Sequence, residues 1–268
     1  MKELLCLNVY FLSLFLLFIF ILSILQKYFH NVTLDEGGFV MTRGKLIVLD
    51  GNDGSGKQTQ AEMLGTSLID IRKKILELSF PRYEGTFFGR ELRKALRGDY
   101  GDFVNLDPHL AALLYVADRW ASKKLILGAL ASGHIVICDR YVSANQIHQG
   151  GKITDPKKRE DFLAWLDQLE FGEYALPRPD VCVYLDVPPE VSEKLMSDRT
   201  KDTVEQNPQY LVNSHRSAQW LIGKRPDEWI HVRCTSSRGE MRERKDIHME
   251  ILLQLQNRFN WKSSPRKR

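Results

Sequence analysis

The chain has 268 residues, of which 43% are hydrophobic and 27% charged, an ordinary balance for a globular protein. Its formal net charge is only +4, and its one dense basic cluster is the tail, residues 262–268. Nucleic-acid-binding proteins usually carry a clustered basic face, so we expect no nucleic-acid partner. The four cysteines show no metal-ligand spacing, which favours reduced thiols and a cytosolic type of domain.

An apolar run occupies residues 4–25 near the start of the chain. At about 22 residues it is long enough to cross a bilayer as a helix. Two interpretations stay open: a signal anchor that holds the domain against a membrane, or a mis-assigned start with translation beginning at Met41. We therefore expect an apolar segment over 1–40 and a domain over 41–268 that is cytoplasmic, or anchored to a membrane and facing the cytoplasm.

Apolar runs and helical patterns alternate along the domain. The pattern predicts strands over 45–50, 75–80, 134–139, 181–186 and 229–234, and helices over 57–70, 85–97, 108–132, 188–198, 209–222 and 241–259. The strands are apolar along their whole length, which is typical of a parallel sheet covered by helices on both faces. We expect a three-layer α/β fold with a roughly five-stranded parallel sheet, whose ligands bind beyond the carboxyl ends of the strands.

A phosphate-binding loop follows the first predicted strand of the domain. Gly51 and Gly56-Lys57 have the spacing of this motif, between a predicted strand and a predicted helix. Its backbone N–H groups and the helix N-terminus bind anionic phosphate, and Lys57 reaches the β and γ oxygens. The motif predicts a nucleoside triphosphate site formed by Gly51, Asn52, Asp53, Gly54, Ser55, Gly56, Lys57, Gln58 and Thr59.

The loop departs from its usual pattern at one position. A Ser or Thr whose hydroxyl holds Mg²⁺ normally follows the lysine, and here Gln58 stands there with Thr59 next. A glutamine carbonyl oxygen is also an Mg²⁺ ligand, and carboxylates near phosphates call for a cation between them. We therefore expect Asp53, Gln58 and Asp139 to be the metal ligands.

Four segments together resemble thymidylate kinases, which transfer the γ-phosphate of ATP to dTMP. They are GNDGSGKQTQ, SFPRYEG, LLYVADRW and ICDRYVSANQIHQGG, and the likeness covers residues 45–222 in the family's order and spacing. The resemblance implies a P-loop kinase fold with a mobile lid, ATP and Mg²⁺ as the donor complex, and dTDP as a product for deoxynucleotide synthesis.

The resemblance also implies which residues bind the acceptor nucleotide. Asp53 matches an aspartate near the sugar 3′-hydroxyl and the metal. Phe80, Arg82 and Tyr83 match the element that packs along the nucleotide, with Arg82 facing its phosphate. Arg140, in the Asp139-Arg140-Tyr141 segment, is suited to fork two hydrogen bonds onto that phosphate.

The base and sugar contacts come from two further segments. Tyr115 falls where the family stacks an aromatic ring on thymine, and Arg119, four residues on, shares its helix face and matches an arginine that bonds a thymine carbonyl. Asn145 matches a residue that contacts the base edge in some members. His148 stands where many members have tyrosine beside the sugar, which puts strict discrimination of deoxyribose in doubt.

The resemblance places a lid over ATP at about 197–208. Arg199 and Lys201 are its cations, and because the phosphate loop contains no arginine, we expect Arg199 to act on the transferring phosphate. The expected catalytic residues are thus Asp53, Lys57, Arg140 and Arg199.

Alternatives stay open at this point. One is a kinase for another nucleotide or for a deoxynucleoside, and another is a membrane-tethered nucleotide-binding module without transfer activity. The helical stretch 108–132 suits either the core or the interface of a homodimer. The sequence favours small-molecule partners, ATP and dTMP, with membrane contact only through residues 4–25.

Overall fold

The computed structural model describes residues 32–34, 40–195 and 207–261. The expectations for the apolar run 4–25, for Arg199 and Lys201 in the lid and for the tail 262–268 lie outside these ranges. Within them, none of the helices combines the length and the apolar character needed to cross a bilayer.

Seven strands and nine α-helices make up the described part of the chain. The strands are β1 Val32–Leu34, β2 Val40–Thr42, β3 Leu46–Gly51, β4 Ile75–Ser79, β5 Ile135–Asp139, β6 Val181–Asp186 and β7 Trp229–Arg233. The helices are α1 Lys57–Asp70, α2 Phe87–Arg97, α3 Pro108–Ala121, α4 Lys123–Ala131, α5 Val142–Gly151, α6 Pro156–Asp167, α7 Pro189–Leu195, α8 Pro208–Lys224 and α9 Arg244–Phe259. A π-helical turn, Gln168–Glu173, follows α6, and a 3₁₀ turn, Pro226–Glu228, precedes β7.

The main sheet has five strands in the order β4-β5-β3-β6-β7, and all four pairings are parallel. Successive residues of β3 face opposite sides: Leu46 and Val48 pack with α3, α4, α5, α6 and α8, whereas Ile47 and Leu49 pack with α1 and α9. Both faces are therefore covered, which confirms the predicted three-layer α/β fold. β1 and β2 pair with each other in antiparallel orientation and form a separate two-stranded sheet. β1 precedes Met41, the expected start of the domain, and β2 contains it.

Three helices begin at the same short signal, an Asp or Asn followed by proline. The side chains of Asp107, Asp155 and Asn207 accept hydrogen bonds from backbone N–H groups in the first turns of α3, α6 and α8. Proline suits the first helical position because its missing N–H would have no partner there.

The predicted helix over 108–132 is wrong in one respect, because the chain there forms two helices. The break lies at Ser122, whose backbone N–H bonds Arg119 while its buried hydroxyl accepts a hydrogen bond from Arg82 Nη1 at 2.9 Å. Helices α5 and α6 were not predicted. α5 is buried almost throughout, so its polar and apolar residues show no helical alternation.

The strand register brings the carboxyl ends of the central strands to one edge. Leu49 pairs with Asp139 of β5, and Gly51 pairs with Leu185 of β6. The phosphate loop therefore begins beside the residues that follow β5, as expected for a ligand site at the carboxyl ends of parallel strands.

Candidate active site

A cavity of about 640 Å³ opens at this edge of the sheet. It brings together most of the residues expected to bind the two nucleotides: Asp53, Gly54, Gly56, Lys57, Gln58, Thr59, Phe80, Tyr83, Tyr115, Arg119, Asp139, Arg140, Asn145 and His148. Gly51, Asn52 and Ser55 belong to the loop but do not line the cavity, and neither does Arg82. Residues separated by nearly 100 positions therefore share one site.

The phosphate loop wraps tightly because of its glycines. Gly54 and Gly56 have φ angles of 78° and 83°, a region that side chains rarely adopt. A Cβ on Gly51 would lie 2.6 Å from the carbonyl oxygen of Leu185, so only glycine fits beside β6. Lys57 is buried and donates to the carbonyl oxygen of Asn52 at 2.7 Å, which holds its ammonium inside the loop.

Several buried polar atoms around the loop make no hydrogen bond to the described residues. They are Asn52 Oδ1, Ser55 Oγ and Asp139 Oδ1. Buried polar groups are nearly always paired, so a cluster of unpaired ones indicates a site that a ligand completes.

An ion-pair network joins the loop to the end of β5. Arg140, at a φ of 65°, donates through Nη2 to Asp53 Oδ1, which also lies 3.5 Å from Lys57 Nζ. Arg140 Nη1 donates to His148 Nε2 at 2.6 Å. Since a guanidinium only donates, His148 accepts through Nε2, and its Nδ1–H is left to donate to Ser214 Oγ at 3.2 Å.

The same network sets the charges of its members. Burial alone would raise the pKa of Asp53, but the charges of Arg140 and Lys57 outweigh it and hold that pKa well below its usual range. Burial and the Arg140 charge lower the pKa of His148 to about 3, which keeps the imidazole neutral at physiological pH. Burial raises the pKa of Asp139, although Lys57 and Arg140 oppose the shift.

Aromatic rings also line the cavity. Tyr115 of α3 lies 6.0 Å from the ring of Phe103, and Phe80 lies 5.8 Å from the ring of Tyr141, both in tilted arrangements. These contacts hold flat surfaces in fixed positions, which suits the stacking of a planar base.

Arg82 does not line the cavity and is bonded to residues of α3 and of the break after it. Its backbone N–H donates to Asp118 Oδ2 at 2.8 Å and its guanidinium bonds Ser122, while Thr86 Oγ1 donates to Asp118 Oδ1. Thr86 also caps α2 by accepting from Gly89 N–H. The expectation that Arg82 faces the acceptor phosphate stays a prediction, because here its side chain is bonded to Ser122 instead.

Arg119 is fixed by a partner that sequence reasoning missed. Its Nε donates to Glu170 Oε2 at 2.7 Å, and its Nη2 donates to Glu170 Oε1, with both residues almost fully buried. Asn145 Nδ2 donates to the same Glu170 Oε1 at 3.3 Å. The only sequence signal was a carboxylate between Leu169 and Phe171, where a surface charge would not be expected.

Comparison with known proteins identifies the lineage of this site. The profile described as thymidylate kinase matches residues 49–244, about three quarters of the chain. The chain belongs to the thymidylate kinase family.

Individual thymidylate kinases from distant organisms are also similar to this chain. A probable thymidylate kinase of Pyrococcus abyssi is 37% identical over 212 residues, covering 78% of this chain and 95% of that protein. The Nitrosomonas eutropha thymidylate kinase is 34% identical over 194 residues, covering 72% of this chain and 85% of its own length. The apolar run over residues 4–25 lies outside the region 49–244 that the thymidylate kinase profile matches.

Solved structures share the fold. The Candida albicans thymidylate kinase superposes with a TM-score of 0.63 at 22% identity, over 81% of this chain and 93% of that one. The Ehrlichia chaffeensis thymidylate kinase gives a TM-score of 0.58 at 22% identity, over 80% of this chain and 100% of that one. The P-loop kinase fold expected from the loop and its neighbours is thereby confirmed.

Proposed function

We propose that this thymidylate kinase family member transfers the γ-phosphate of ATP to dTMP, giving dTDP for deoxynucleotide synthesis. The observation that carries the proposal is that one cavity is lined both by the phosphate loop and by the Tyr115–Arg119 face of α3. The loop suits a triphosphate, and the α3 face suits a planar base with acceptor groups on its edge. Family membership supports an ATP-dependent nucleoside monophosphate kinase and gives no support to a binding module without transfer activity.

The chemistry asks the protein for positioning and charge. An oxygen of the dTMP phosphate attacks the γ-phosphorus of ATP, and the bond from that phosphorus to the β–γ bridging oxygen breaks. Because the acceptor is already an anion, no general base is required. Lys57 holds the donor phosphates, Arg140 orients the acceptor phosphate, and a lid cation such as Arg199 offsets charge on the transferring group.

The cavity also fits Mg²⁺, which the sequence led us to expect. Asp139 Oδ1 is buried without a hydrogen-bond partner among the described residues, and oxygen ligands are those Mg²⁺ prefers. Asp53, Gln58 and Asp139 would hold the ion, and Gln58 uses its amide nitrogen on Glu62 at 3.0 Å, which leaves its oxygen for the metal. When bound, Mg²⁺ neutralises negative charge on the donor phosphates.

No group of three or more His, Cys, Asp or Glu residues in the described ranges is placed to hold a metal by itself. Mg²⁺ is commonly bound by one or two carboxylates together with substrate phosphates, so we expect the ion to arrive with ATP.

A second copy of the chain is the proposed partner of α3 and α4. Both helices carry large apolar side chains that are exposed in the single chain: Leu110, Leu113, Trp120, Leu125 and Leu127. Exposed apolar side chains on two consecutive helices favour a protein interface there. Light scattering of the purified protein checks this, and a monomer at micromolar concentration would rule the homodimer out.

The cytoplasm is the proposed location of the reaction. Cys138, Cys182 and Cys234 are free, buried thiols, as expected in a reducing compartment.

A coupled assay with ATP and a panel of acceptors tests the function. The panel contains dTMP, dUMP, dCMP, dGMP and thymidine, and we expect the highest kcat/KM with dTMP. Preferred turnover of thymidine would instead make the chain a deoxynucleoside kinase, and turnover of no acceptor would remove the proposal.

A further inference from the structure

Glu170 is a fully buried charged residue that contacts the cavity residues Arg119 and Asn145 and that the reaction itself does not use. Its side chain has no exposed surface, and it lies in the π-helical turn Gln168–Glu173 that extends α6. π-helical turns occur frequently at functional sites. Burying an ion pair yields little net stability, because the cost of desolvation offsets the attraction. Stability alone therefore gives a weak reason for a carboxylate here.

The carboxylate uses both oxygens on cavity residues. Glu170 accepts two hydrogen bonds from Arg119, whose third contact is Nη1 to the carbonyl oxygen of Tyr141 at 3.2 Å. A guanidinium has five N–H donors, so two remain for a ligand after these three. The bidentate pairing fixes the plane of the Arg119 guanidinium at the cavity wall.

Asn145 is fixed by the same carboxylate. Its Nδ2 donates to Glu170 Oε1 and to the carbonyl oxygen of Ala112, each at 3.3 Å. Both partners can only accept, so the amide cannot turn over without placing its oxygen against two other oxygens. Asn145 Oδ1 is therefore committed as the acceptor that the side chain offers to the cavity it lines.

We propose that Glu170 is a positioning residue that selects thymine over cytosine by fixing a donor on Arg119 and an acceptor on Asn145. Thymine has an accepting O4 beside a donating N3–H, whereas cytosine has a donating N4 amino group beside an accepting N3. The fixed pair complements the first pattern and opposes the second. A site that leaves polar groups unpaired with the wrong ligand discriminates strongly.

This inference rests on the proposed function, and it adds a residue that does not touch the nucleotide itself. Glu170 acts only through Arg119 and Asn145. Replacing Glu170 should therefore change the selectivity between acceptor bases and leave the KM for ATP unchanged.

The matched variants Glu170→Gln and Glu173→Gln test it. Glu173 lies on the same turn but is exposed and bonds only Gln168 in the described chain, so its variant controls for lost charge. Whichever way the new amide of Glu170→Gln is turned, one acceptor becomes a donor that faces a donor. We expect the dTMP-to-dCMP ratio of kcat/KM to narrow by about tenfold to a hundredfold, with the KM for ATP within about twofold.

The outcomes separate the two proposals. Wild-type protein that does not phosphorylate dTMP removes the proposed function. Wild-type protein that does, together with a folded Glu170→Gln variant that keeps the wild-type ratio, removes only the role of Glu170. A ratio that narrows equally in Glu173→Gln also overturns it, since the effect would then come from charge alone.

A measurement on the unaltered protein decides the matter if Glu170→Gln does not fold. The Nδ2 protons of Asn145, assigned by NMR from their loss in Asn145→Ser, should exchange slowly with solvent both before and after dTMP is added. Exchange at the rate of a free side-chain amide would show that Glu170 does not hold the amide, and would overturn the inference.

Discussion

The two sides of the cavity satisfy their polar groups in different ways. On the phosphate-loop side, Lys57 bonds its own loop at the Asn52 carbonyl, and Ser55 Oγ and Asp139 Oδ1 have no partner among the described residues. On the base side, Arg119 is bound by Glu170, which lies 51 positions away in sequence.

The difference teaches that each side is prepared for what it must recognise. Phosphate groups are the same in every nucleotide, so the loop needs only donors and cations that the ligand completes on arrival. A base must be distinguished from its close relatives, so its contacts are held in place by supporting residues before binding. The following changes test this contrast, beginning with the largest expected effect.

Arg140 bonds both Asp53 of the phosphate loop and His148, and replacing it should affect the acceptor nucleotide more than ATP. We expect Arg140→Ala to lower kcat/KM for dTMP by about 10²–10³, because a charged donor to the reacting phosphate is lost. ATP binding, measured by calorimetry, should change less than tenfold, because the hydrogen bond that holds Lys57 at the Asn52 carbonyl does not involve Arg140. Arg140→Lys, which keeps one charge but not the fork, should retain part of the activity. Equal losses for ATP and dTMP would assign Arg140 to the donor.

Removing a paired group from the base side should destabilise the fold more than removing an unpaired one from the loop. Asp118→Ala leaves Arg82 N–H and the Thr86 hydroxyl without their buried acceptor, so we expect unfolding free energy to fall by about 2–3 kcal/mol. Ser55→Ala deletes a buried hydroxyl that has no partner in the described chain, and stability should change by less than about 0.5 kcal/mol. Urea unfolding of both variants measures the difference. Equal losses of unfolding free energy would contradict the proposed difference between the base side and the loop side.

Loss of the aromatic ring should weaken only the acceptor. Tyr115→Ala is expected to raise the KM for dTMP by about tenfold, because stacking of a base on an aromatic ring is lost, while the KM for ATP stays near wild type. Tyr115→Phe keeps the ring and serves as the control. A larger effect on ATP than on dTMP would place the base elsewhere in the cavity.

The sequence allowed the loop side to be predicted well, because its signals are local. Gly51, Gly56 and Lys57 lie within seven consecutive residues, and the apolar run before them predicts a strand of the sheet. The fold followed for the same reason, since continuous apolar strands alternating with helices leave few arrangements.

The base side was predicted only by resemblance, and its supporting residues were missed. Nothing near Arg119 in sequence indicates that Glu170 will face it, because the contact depends on how α3 and the turn after α6 pack. The break at Ser122 could not be predicted for a similar reason, since it is accompanied by a hydrogen bond from Arg82, which lies 40 positions earlier in the chain. Long-range polar pairing leaves no periodic trace in a sequence.

The pH dependence of stability gives the smallest expected effect, and it concerns His148, which bonds Arg140 and lines the cavity. The pKa of His148 falls from 6.5 to about 3 on folding, chiefly through burial and then through the Arg140 charge. The unfolded chain therefore takes up this proton first as pH falls, so the contribution of His148 is full above about pH 6.5 and is lost towards pH 3. Between pH 7 and pH 5 the loss is about 2 kcal/mol.

His148→Gln provides the matched comparison, since a glutamine oxygen still accepts from Arg140 but does not titrate. We expect urea unfolding at pH 7 and pH 5 to show a loss smaller by about 2 kcal/mol in the variant than in the wild type, with carboxylate contributions common to both. Parallel losses in the two proteins would mean that His148 is charged in the folded state. In that case Nε2 of His148 would carry a proton and would not accept from Arg140 Nη1, which would contradict the hydrogen bond between these two residues.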